Sequence, residues 1–395
     1  MDGGNTMYRI RTLDKISTVG LEFLSRDKYE VASEIPNPDA ILVRSTDMHN
    51  LQLPDTLKVI ARAGIGINNI PVETCTERGI VVLNTPGANA NSVKELVLAS
   101  LILASRDIMG GINWAKSLLG RGDEIPALIE RGKSKFAGPE IQGKNLGVIG
   151  LGTIGVMVAN DAVALGMNVT GYDPFISVES AWGLSRNVKR AMGIEALISE
   201  SEYITIHVPL TEHTKGMLNG NRFALMKKGV RLLNFARGGL INNEDLIKAI
   251  ENGIVAIYIT DFPDEDLLKQ ERVIAFPHIG ASTPEAENNC AIMATKQVSA
   301  FLEYGNVINS INFPNCEMPP SQNDRIIIAN RNIPNMVGQI TTILAGEMIN
   351  IAEMLNKHKD GLAYNIIDVD ENVPPQTIRK LQEIEGVIMV RVLKT

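Results

Sequence analysis

Cysteine is scarce in this 395-residue chain, which holds Cys75, Cys290 and Cys316 and no others. The three are odd in number, widely spaced and never form a CxxC pair, so neither a disulfide framework nor a structural zinc site is expected. Free thiols of this kind are typical of a reducing compartment. We therefore expect a cytoplasmic protein that binds no metal.

The chain also lacks an excess of positive charge and a long apolar run. Its net charge is −7 and its pI is near 5.4, which argues against nucleic acid or an anionic membrane as the main partner. The longest uncharged stretch, residues 145–160, is interrupted by glycines spaced for a turn, and residues 1–10 show no signal-peptide pattern. The sequence predicts neither a membrane span nor a leader.

Short apolar runs alternate with helical patterns in two long blocks, residues 7–105 and 143–276. Strands that alternate with helices indicate parallel sheets, so we expect two doubly wound α/β domains that face each other across a cleft. A Pro-, Asn- and Ser-rich segment, 312–324, is interpreted as a linker. After it, the pattern β-α-β-β-α-β predicts a small ferredoxin-like domain.

A glycine-rich turn, GLGTIG at 150–155, follows an apolar strand and opens a helix. In this context Gly150 permits a tight turn, Gly152 lets the backbone approach a pyrophosphate, and Gly155 lets the helix pack on the strand. The next predicted strand ends at Asp173, where a carboxylate can accept a hydrogen bond from a ribose 2′-hydroxyl. That carboxylate would repel a 2′-phosphate, so the sequence favours NAD over NADP.

Charged side chains follow three consecutive predicted strands of the second block: Arg237, Glu265 and His278. Ligands of an open parallel sheet bind beyond the carboxyl ends of its strands, so these three groups are expected at one site with the cofactor. An arginine can bind an α-carboxylate, and an imidazole can remove a hydroxyl proton while a carboxylate orients it. This set suits hydride transfer from a 2-hydroxy acid.

The first block carries arginines at its own strand ends, Arg44 and Arg62. Two cations on one rim suit a second anionic group on the substrate, such as a phosphate. The nearby stretch GIGINN, 64–69, lacks the third glycine of a dinucleotide turn and is interpreted as a tight loop on the substrate side. Lys94 either joins the arginines or pairs with a neighbouring glutamate, and we favour the pairing.

Seven motifs together resemble the D-2-hydroxyacid dehydrogenase family over almost the whole chain. They are VRS at 43–45, ARAGIGINNI at 61–70, NTPGANANSVKEL at 84–96, GVIGLGTIG at 147–155, NFARGGLIN at 234–242, PHIGAST at 277–283 and SINFP at 310–314. The likeness is greatest to the branch that oxidises 3-phospho-D-glycerate in L-serine biosynthesis and carries a C-terminal ACT domain. It implies a discontinuous substrate-binding domain (1–100 and 283–315), a Rossmann NAD-binding domain (101–282) and an ACT domain (324–395).

The resemblance also implies roles for individual residues. Arg237, Glu265 and His278 would be catalytic. The substrate would contact Arg44, Ser45, Arg62, Gly64, Ile65 and Gly66. The expected NAD-binding positions are Gly150, Gly152, Thr153, Ile154, Gly155, Asp173, His207, Pro209, Thr214, Phe235, Ala236, Asp261 and Gly280.

The chain departs from the family pattern around the catalytic glutamate. The family reads Asp-Val-Phe-x-x-Glu, whereas this chain reads DFPDED at 261–266. A one-residue deletion after Asp261 selects Glu265, with Asp264 and Asp266 as rivals. The exposed-looking cations Arg186, Lys189 and Arg190 either touch cofactor phosphates or form a solvated face.

Regulation and assembly are implied by the C-terminal domain. Asn332 and Asn350 match the positions where the family binds L-serine, and we expect strand–helix order to bring both to the same end of the small sheet. A family histidine is replaced by Asn330. Pairing of ACT domains and the apolar side of the helix around Ile112, Trp114 and Leu118 predict a homodimer or homotetramer.

Other functions share these features. A glyoxylate or hydroxypyruvate reductase would use the same Arg, Glu and His without a phosphate site. An NAD-sensing corepressor can retain all three, and a regulatory binding module could carry a degenerate dehydrogenase body.

Overall fold

The structure is a computed structural model that describes residues 7–394, so residues 1–6 and 395 lie outside it, with most of the stretch tested for a signal peptide. Contacts divide the chain into two units, residues 1–89 with 284–395 and residues 90–283. The domain boundary expected near residue 100 falls inside a helix, Ala90–Leu103, that packs on another helix of the second unit. No described helix is long and apolar enough to cross a membrane.

The elements of the first unit fall in two stretches of the chain. The first stretch contains β1 (Tyr8–Thr12), α1 (Thr18–Leu21), β2 (Tyr29–Ala32), β3 (Ala40–Val43), β4 (Val59–Arg62), α2 (Val72–Glu77) and β5 (Val81–Leu83). The second unit interrupts with α3 (Ala90–Leu103), α4 (Ile108–Ser117), α5 (Ile125–Gly132), β6 (Asn145–Ile149), α6 (Thr153–Ala164), β7 (Asn168–Tyr172), α7 (Val178–Gly183), β8 (Lys189–Arg190), α8 (Ile194–Glu200), β9 (Tyr203–Ile206), α9 (Gly220–Phe223), β10 (Val230–Asn234), α10 (Asn243–Glu251), β11 (Val255–Thr260), α11 (Glu265–Leu268) and β12 (Val273–Ala275). The first unit resumes with α12 (Pro284–Tyr304), β13 (Arg325–Arg331), α13 (Met336–Gly346), β14 (Ile351–Lys359), β15 (Leu362–Val369), α14 (Pro375–Gln382) and β16 (Val387–Leu393).

The first sheet is parallel, in the order β2-β1-β3-β4-β5. Both of its faces are covered, which is why β3 and β5 are uninterrupted apolar runs. Helix α12 covers one face and approaches α1 so closely that a Cβ on Gly20 would lie 2.5 Å from Ala291. The edge strand β2 was not predicted because its sequence, YEVA, is half polar.

The second sheet is parallel in the order β12-β11-β10-β9-β6-β7-β8, the doubly wound arrangement expected of a dinucleotide-binding domain. Successive residues of a strand enter different layers of core, as Leu232 packs with α8 and α10 while Leu233 packs with α3 and α6. The order reverses between β6 and β9, and the loops that follow these two strands diverge there. A reversal of this kind opens a ligand crevice.

The C-terminal elements form an antiparallel sheet in the order β14-β15-β13-β16, with α13 and α14 between its strands in the chain. The predicted ferredoxin-like fold is confirmed. One face, with Ile326 and Ile367, is covered by the two helices. The other face, with Ile327 and Tyr364, joins the core that α12 shares with the first sheet.

The segment interpreted as a linker is packed rather than free, which corrects that expectation. Phe313, Cys316 and Met318 are buried in the core beneath the ferredoxin-like sheet. The Tyr364 hydroxyl donates to the carbonyl of Gly305 at 2.9 Å. Buried apolar side chains at this spacing outweigh the turn-forming composition that suggested a hinge.

A buried ion pair fastens the same region. Arg325 binds Asp368 through two contacts, Nε–Oδ1 at 2.6 Å and Nη2–Oδ2 at 2.9 Å, and both side chains are less than one-tenth exposed. The guanidinium also donates to the carbonyls of Tyr304 and Pro319. The arginine therefore joins β13, β15, the end of α12 and the connecting segment.

Replacing Asp368 with asparagine should lower the free energy of unfolding by about 3 kcal/mol, because the Arg325 charge is then buried without a counter-charge. The matched control is Glu130→Gln, which removes an exposed pair with Lys133 and should cost less than about 1 kcal/mol. Urea unfolding followed by circular dichroism measures both. Equal losses in the two variants would contradict the role given to this pair.

Candidate active site

The glycine turn after β6 adopts the geometry that its sequence predicts. Gly150 has φ +93°, and a Cβ there would lie 2.8 Å from the backbone of His207. A Cβ on Gly155 would come within 1.9 Å of the Gly150 carbonyl oxygen. A Cβ on Gly152 would meet nothing within 4 Å, so the first turn of α6 faces an open cradle.

The cradle fits a dinucleotide. Gly152 caps α6 without a side chain, which leaves the first amides of the helix directed at a ligand. Asp173 is held beside the turn, because its carboxylate accepts from the Leu151 and Phe175 amides at 2.8 Å each. Thr153 and Ile154 open the helix between these groups.

His207 lies at the end of β9, against the turn. Its Nε2 is 3.0 Å from the Thr205 hydroxyl, and burial lowers the pKa of the imidazole to about 4. The ring is therefore neutral at pH 7 and serves as a wall. The Thr214 hydroxyl donates to the Pro209 carbonyl at 2.6 Å, which closes the following loop.

The loop after β10 presents Arg237 to solvent. Buried Asn234 holds this loop: its amide donates to the Arg237 carbonyl at 2.9 Å and its oxygen accepts from the Ala236 amide at 3.1 Å. Phe235 packs on Phe276 beneath it, with ring centroids 6.1 Å apart. Asn234 was not predicted, although a polar residue that ends an apolar strand is a usable signal.

His278 has φ +50°, an uncommon left-handed conformation for a residue with a side chain. Its exposed ring lies against Phe262, with centroids 4.7 Å apart. Backbone outliers of this kind concentrate at functional sites, where the surroundings hold them in place. The turn after β12 therefore fixes the direction of the imidazole.

Asp261 is the carboxylate that the structure brings to His278. It is 3% exposed, and its Oδ1 is buried without a hydrogen-bond partner. Burial raises the pKa of Asp261, while the imidazole of His278, the Gly280 amide and Arg237 oppose that rise. A Cβ on Gly280 would lie 3.2 Å from its Oδ2, so the close approach requires glycine.

The three carboxylates expected to compete for His278 are engaged elsewhere. Glu265 begins α11 and pairs with Lys269 at 3.2 Å, and Asp266 pairs with the same lysine at 3.0 Å. Asp264 caps α11 through the Leu267 amide at 2.9 Å. The sequence placed Glu265 beside the imidazole because it follows the strand, but the short helix turns it outward.

In the first unit, Arg44 and Ser45 belong to a loop organised by Asp14. One carboxylate oxygen of Asp14 accepts from the amides of Arg44 at 2.6 Å and Ser45 at 3.0 Å. Nη1 of Arg44 binds Glu287 at 2.8 Å. Asp14 was not predicted, because no sequence pattern links it to a loop thirty residues later.

Arg62 organises the neighbouring loop. Its Nε donates to the Arg44 carbonyl at 2.9 Å and its Nη1 donates to the Gly66 carbonyl. A Cβ on Gly64 would lie 3.1 Å from this guanidinium. The Ile65 carbonyl accepts from Asn84 at 2.8 Å.

Lys94 pairs with Asp161 on α6 at 2.8 Å, rather than with a glutamate. Lys189 and Arg190 form the exposed edge strand β8. No cluster of three metal-ligating side chains occurs within residues 7–394.

The two asparagines expected to bind an effector lie at opposite ends of the small sheet. Asn332 follows Arg331, which pairs with Leu362, whereas Asn350 precedes Ile351, which pairs with Val369. The expectation of a shared end was wrong, because a crossover helix carries the chain back before a parallel strand begins. Asn350 donates to Asp370 at 2.5 Å.

Comparison with known proteins agrees with this architecture. Residues 102–280 match the family described as D-isomer specific 2-hydroxyacid dehydrogenase, NAD binding domain. The chain is 35% identical over 328 residues to D-3-phosphoglycerate dehydrogenase of Bacillus subtilis, covering 78% of this chain and 59% of the relative. The corresponding protein of Archaeoglobus fulgidus is 37% identical over 298 residues, 73% of this chain and 54% of its own.

A solved structure is also similar: NAD+-bound 3-phosphoglycerate dehydrogenase of Entamoeba histolytica, with 28% identity and a TM-score of 0.60 over 78% of this chain and 99% of that one. The chain spans a little over half the length of the curated relatives it matches. The family match confirms the predicted cofactor, NAD.

Replacing Gly152 with alanine should weaken NAD binding about tenfold or more, because the methyl group fills the cradle where the pyrophosphate approaches the backbone. The fold should be retained, since φ at Gly152 is −72° and the new Cβ meets no protein atom within 4 Å. Calorimetric titration with NAD measures the effect, and Gly346→Ala, another open position, is the control. Unchanged affinity would show that the cradle does not hold the cofactor.

Proposed function

Since the chain belongs to the D-isomer specific 2-hydroxyacid dehydrogenases, we propose that it oxidises 3-phospho-D-glycerate to 3-phosphooxypyruvate with NAD, the first step of L-serine biosynthesis. The observation that carries the proposal is the convergence of Arg237, Asp261 and His278 after three adjacent strands of the sheet that bears the glycine turn. The three buried free cysteines support a cytoplasmic location.

The residues of this chain divide the chemistry between them. Arg237 binds the α-carboxylate of the substrate, and neutral His278 takes the proton from the C2 hydroxyl. NAD supplies the hydride acceptor when bound. Asp261 faces His278 and stabilises the imidazolium that forms.

The arginines of the first unit are assigned to the phosphate. Arg44 is half-buried on a loop held by Asp14, and its ion pair with Glu287 can exchange for a dianion. Arg62 fixes the backbone of the same region through the Arg44 and Gly66 carbonyls. It therefore positions Arg44 and the loop at 64–66, which contacts the carboxyl end of the substrate.

The substrate assignment is tested by NADH formation from 3-phospho-D-glycerate, D-glycerate and D-lactate. We expect the highest kcat/KM with the phosphorylated acid. Arg44→Gln should raise its KM by about ten- to a hundredfold, the loss of a charged hydrogen bond, and leave the KM of D-glycerate nearly unchanged. Arg9→Gln is the matched control, because Arg9 also belongs to a half-exposed ion pair in the same sheet.

Two outcomes of this assay would contradict the proposal. Equal turnover of phosphorylated and unphosphorylated acids would favour a glyoxylate or hydroxypyruvate reductase. NAD binding without turnover of any acid would favour a corepressor-like sensor or a degenerate binding module.

The carboxylate partner of His278 is tested by the pH dependence of kcat/KM in the direction of oxidation. Neutral imidazole is required, so kcat/KM rises with pH through the pKa of His278 in the free enzyme. A facing carboxylate stabilises the protonated ring, so Asp261→Asn should move the rising limb about one unit toward lower pH. Glu265→Gln should leave the limb in place, and the opposite pattern would restore Glu265 as the partner.

We infer that two or more copies of the chain associate. Helix α4 has no buried residue, and Met109, Ile112 and Leu119 in and beside it are largely exposed. Trp114 packs inside its own unit on Phe136. Antiparallel pairing of two ferredoxin-like sheets would bring Asn332 of one copy beside Asn350 of the other, which is the arrangement that an effector shared between copies needs.

L-serine is the proposed effector, because paired amides can bind its carboxylate and its ammonium together. Titration calorimetry should show saturable binding of L-serine to the wild type and at least about tenfold weaker binding to Asn350→Ala. Asn356→Ala, on the same strand, is the control. A monomeric mass by light scattering, or absence of serine binding, would contradict the shared site.

A further inference from the structure

A cavity of about 540 Å³ lies in the first unit, and none of the predicted substrate-binding residues lines it. One wall is a face of α12, formed by Asn289, Ile292, Met293 and Lys296 at helical spacings of three and four. The remaining walls come from residues 87–88 and 308–309. The volume is within the range of small-molecule sites, about 300–1,000 Å³.

Gln297 supplies the polar end of this cavity. Its side chain lines the cavity and is 3% exposed, yet neither its amide nitrogen nor its amide oxygen has a hydrogen-bond partner. Buried polar atoms are almost always paired, because an unpaired one keeps its full desolvation cost. A single water occupies about 30 Å³, so the space exceeds what the amide needs for hydration alone.

The other lining residues restrict what can bind. Ile292, Met293 and Ile308 provide apolar walls, and Asn309 adds a second half-buried amide. No acidic side chain lines the cavity, and its one cation, Lys296, lies with its ammonium 4.6 Å from the centre of the Phe23 ring. The surroundings therefore disfavour a cationic ligand and do not demand an anionic one.

We propose that this cavity binds a small neutral molecule in which a planar head group carries both a donor and an acceptor, as a primary carboxamide does, on a short apolar body. Such a head pairs with both amide atoms of Gln297 at once. A carboxylate can only accept and would leave the Gln297 oxygen unpaired. An ammonium can only donate and would leave the nitrogen unpaired. The site is separate from hydride transfer and does not depend on the function proposed above.

The head group is tested with three probes that share one body: isovaleramide, isovalerate and isoamylamine. Titration of the full chain, followed by ligand-detected NMR, should show saturable binding of isovaleramide at millimolar concentration. The acid and the amine should bind at least about tenfold more weakly. Amide hydrogen exchange at residues 85–89, which border the cavity, should slow with isovaleramide.

Gln297→Met keeps the length of the side chain and removes both polar atoms, so isovaleramide binding should fall at least about tenfold. The matched control, Gln52→Met, replaces an exposed glutamine of the same unit and should bind as the wild type does. Ile308→Phe provides a second test, because it fills the cavity from the opposite wall and leaves Gln297 intact. It should also abolish binding.

Three results would overturn the proposal. One is the absence of saturable isovaleramide binding to the wild type. Another is equal binding of the three probes, which would remove the role of the head group. The last is retention of binding in both Gln297→Met and Ile308→Phe.

Discussion

A parallel sheet brings the carboxyl ends of all its strands to one edge, and this constraint organises the site in the second unit. The glycine turn follows β6, His207 follows β9, Arg237 follows β10, Asp261 follows β11 and His278 follows β12. Residues far apart in the chain thus converge without any contact that must be specified pairwise. Local devices then aim the side chains, such as the Asn234 bridge and the left-handed backbone of His278.

The first unit is held together by α12. One face of this helix shares a core with the first sheet and the ferredoxin-like sheet, through residues such as Ala294 and Phe301. Another face lines the cavity that contains Gln297. Because the connection at 312–324 is packed and Arg325 is fastened by Asp368, any signal from the small sheet must pass through packed contacts rather than a free hinge.

Sequence patterns predicted most of the fold because apolar periodicity and turn glycines act locally. They predicted the parallel blocks, the glycine turn and the ferredoxin-like order. They did not reveal Asp14 beneath Arg44 or Asp261 beside His278, because both contacts depend on how loops from separate strands close. The same limit explains Asn332 and Asn350: the residue types were informative, but their positions follow from the crossover of β13 and β14. The roles of these residues stay proposals.

The central claim is that this sheet edge removes a hydride and a proton from C2 of a D-2-hydroxy acid. The direct measurement supplies the whole chain with NAD and 3-phospho-D-glycerate deuterated at C2, and follows the reduced cofactor by mass spectrometry. The account predicts that the deuterium appears in the reduced cofactor and that His278→Asn slows its appearance about a hundredfold or more, while NAD binding is retained. Reduced cofactor without deuterium, or an undiminished rate in His278→Asn, would contradict it.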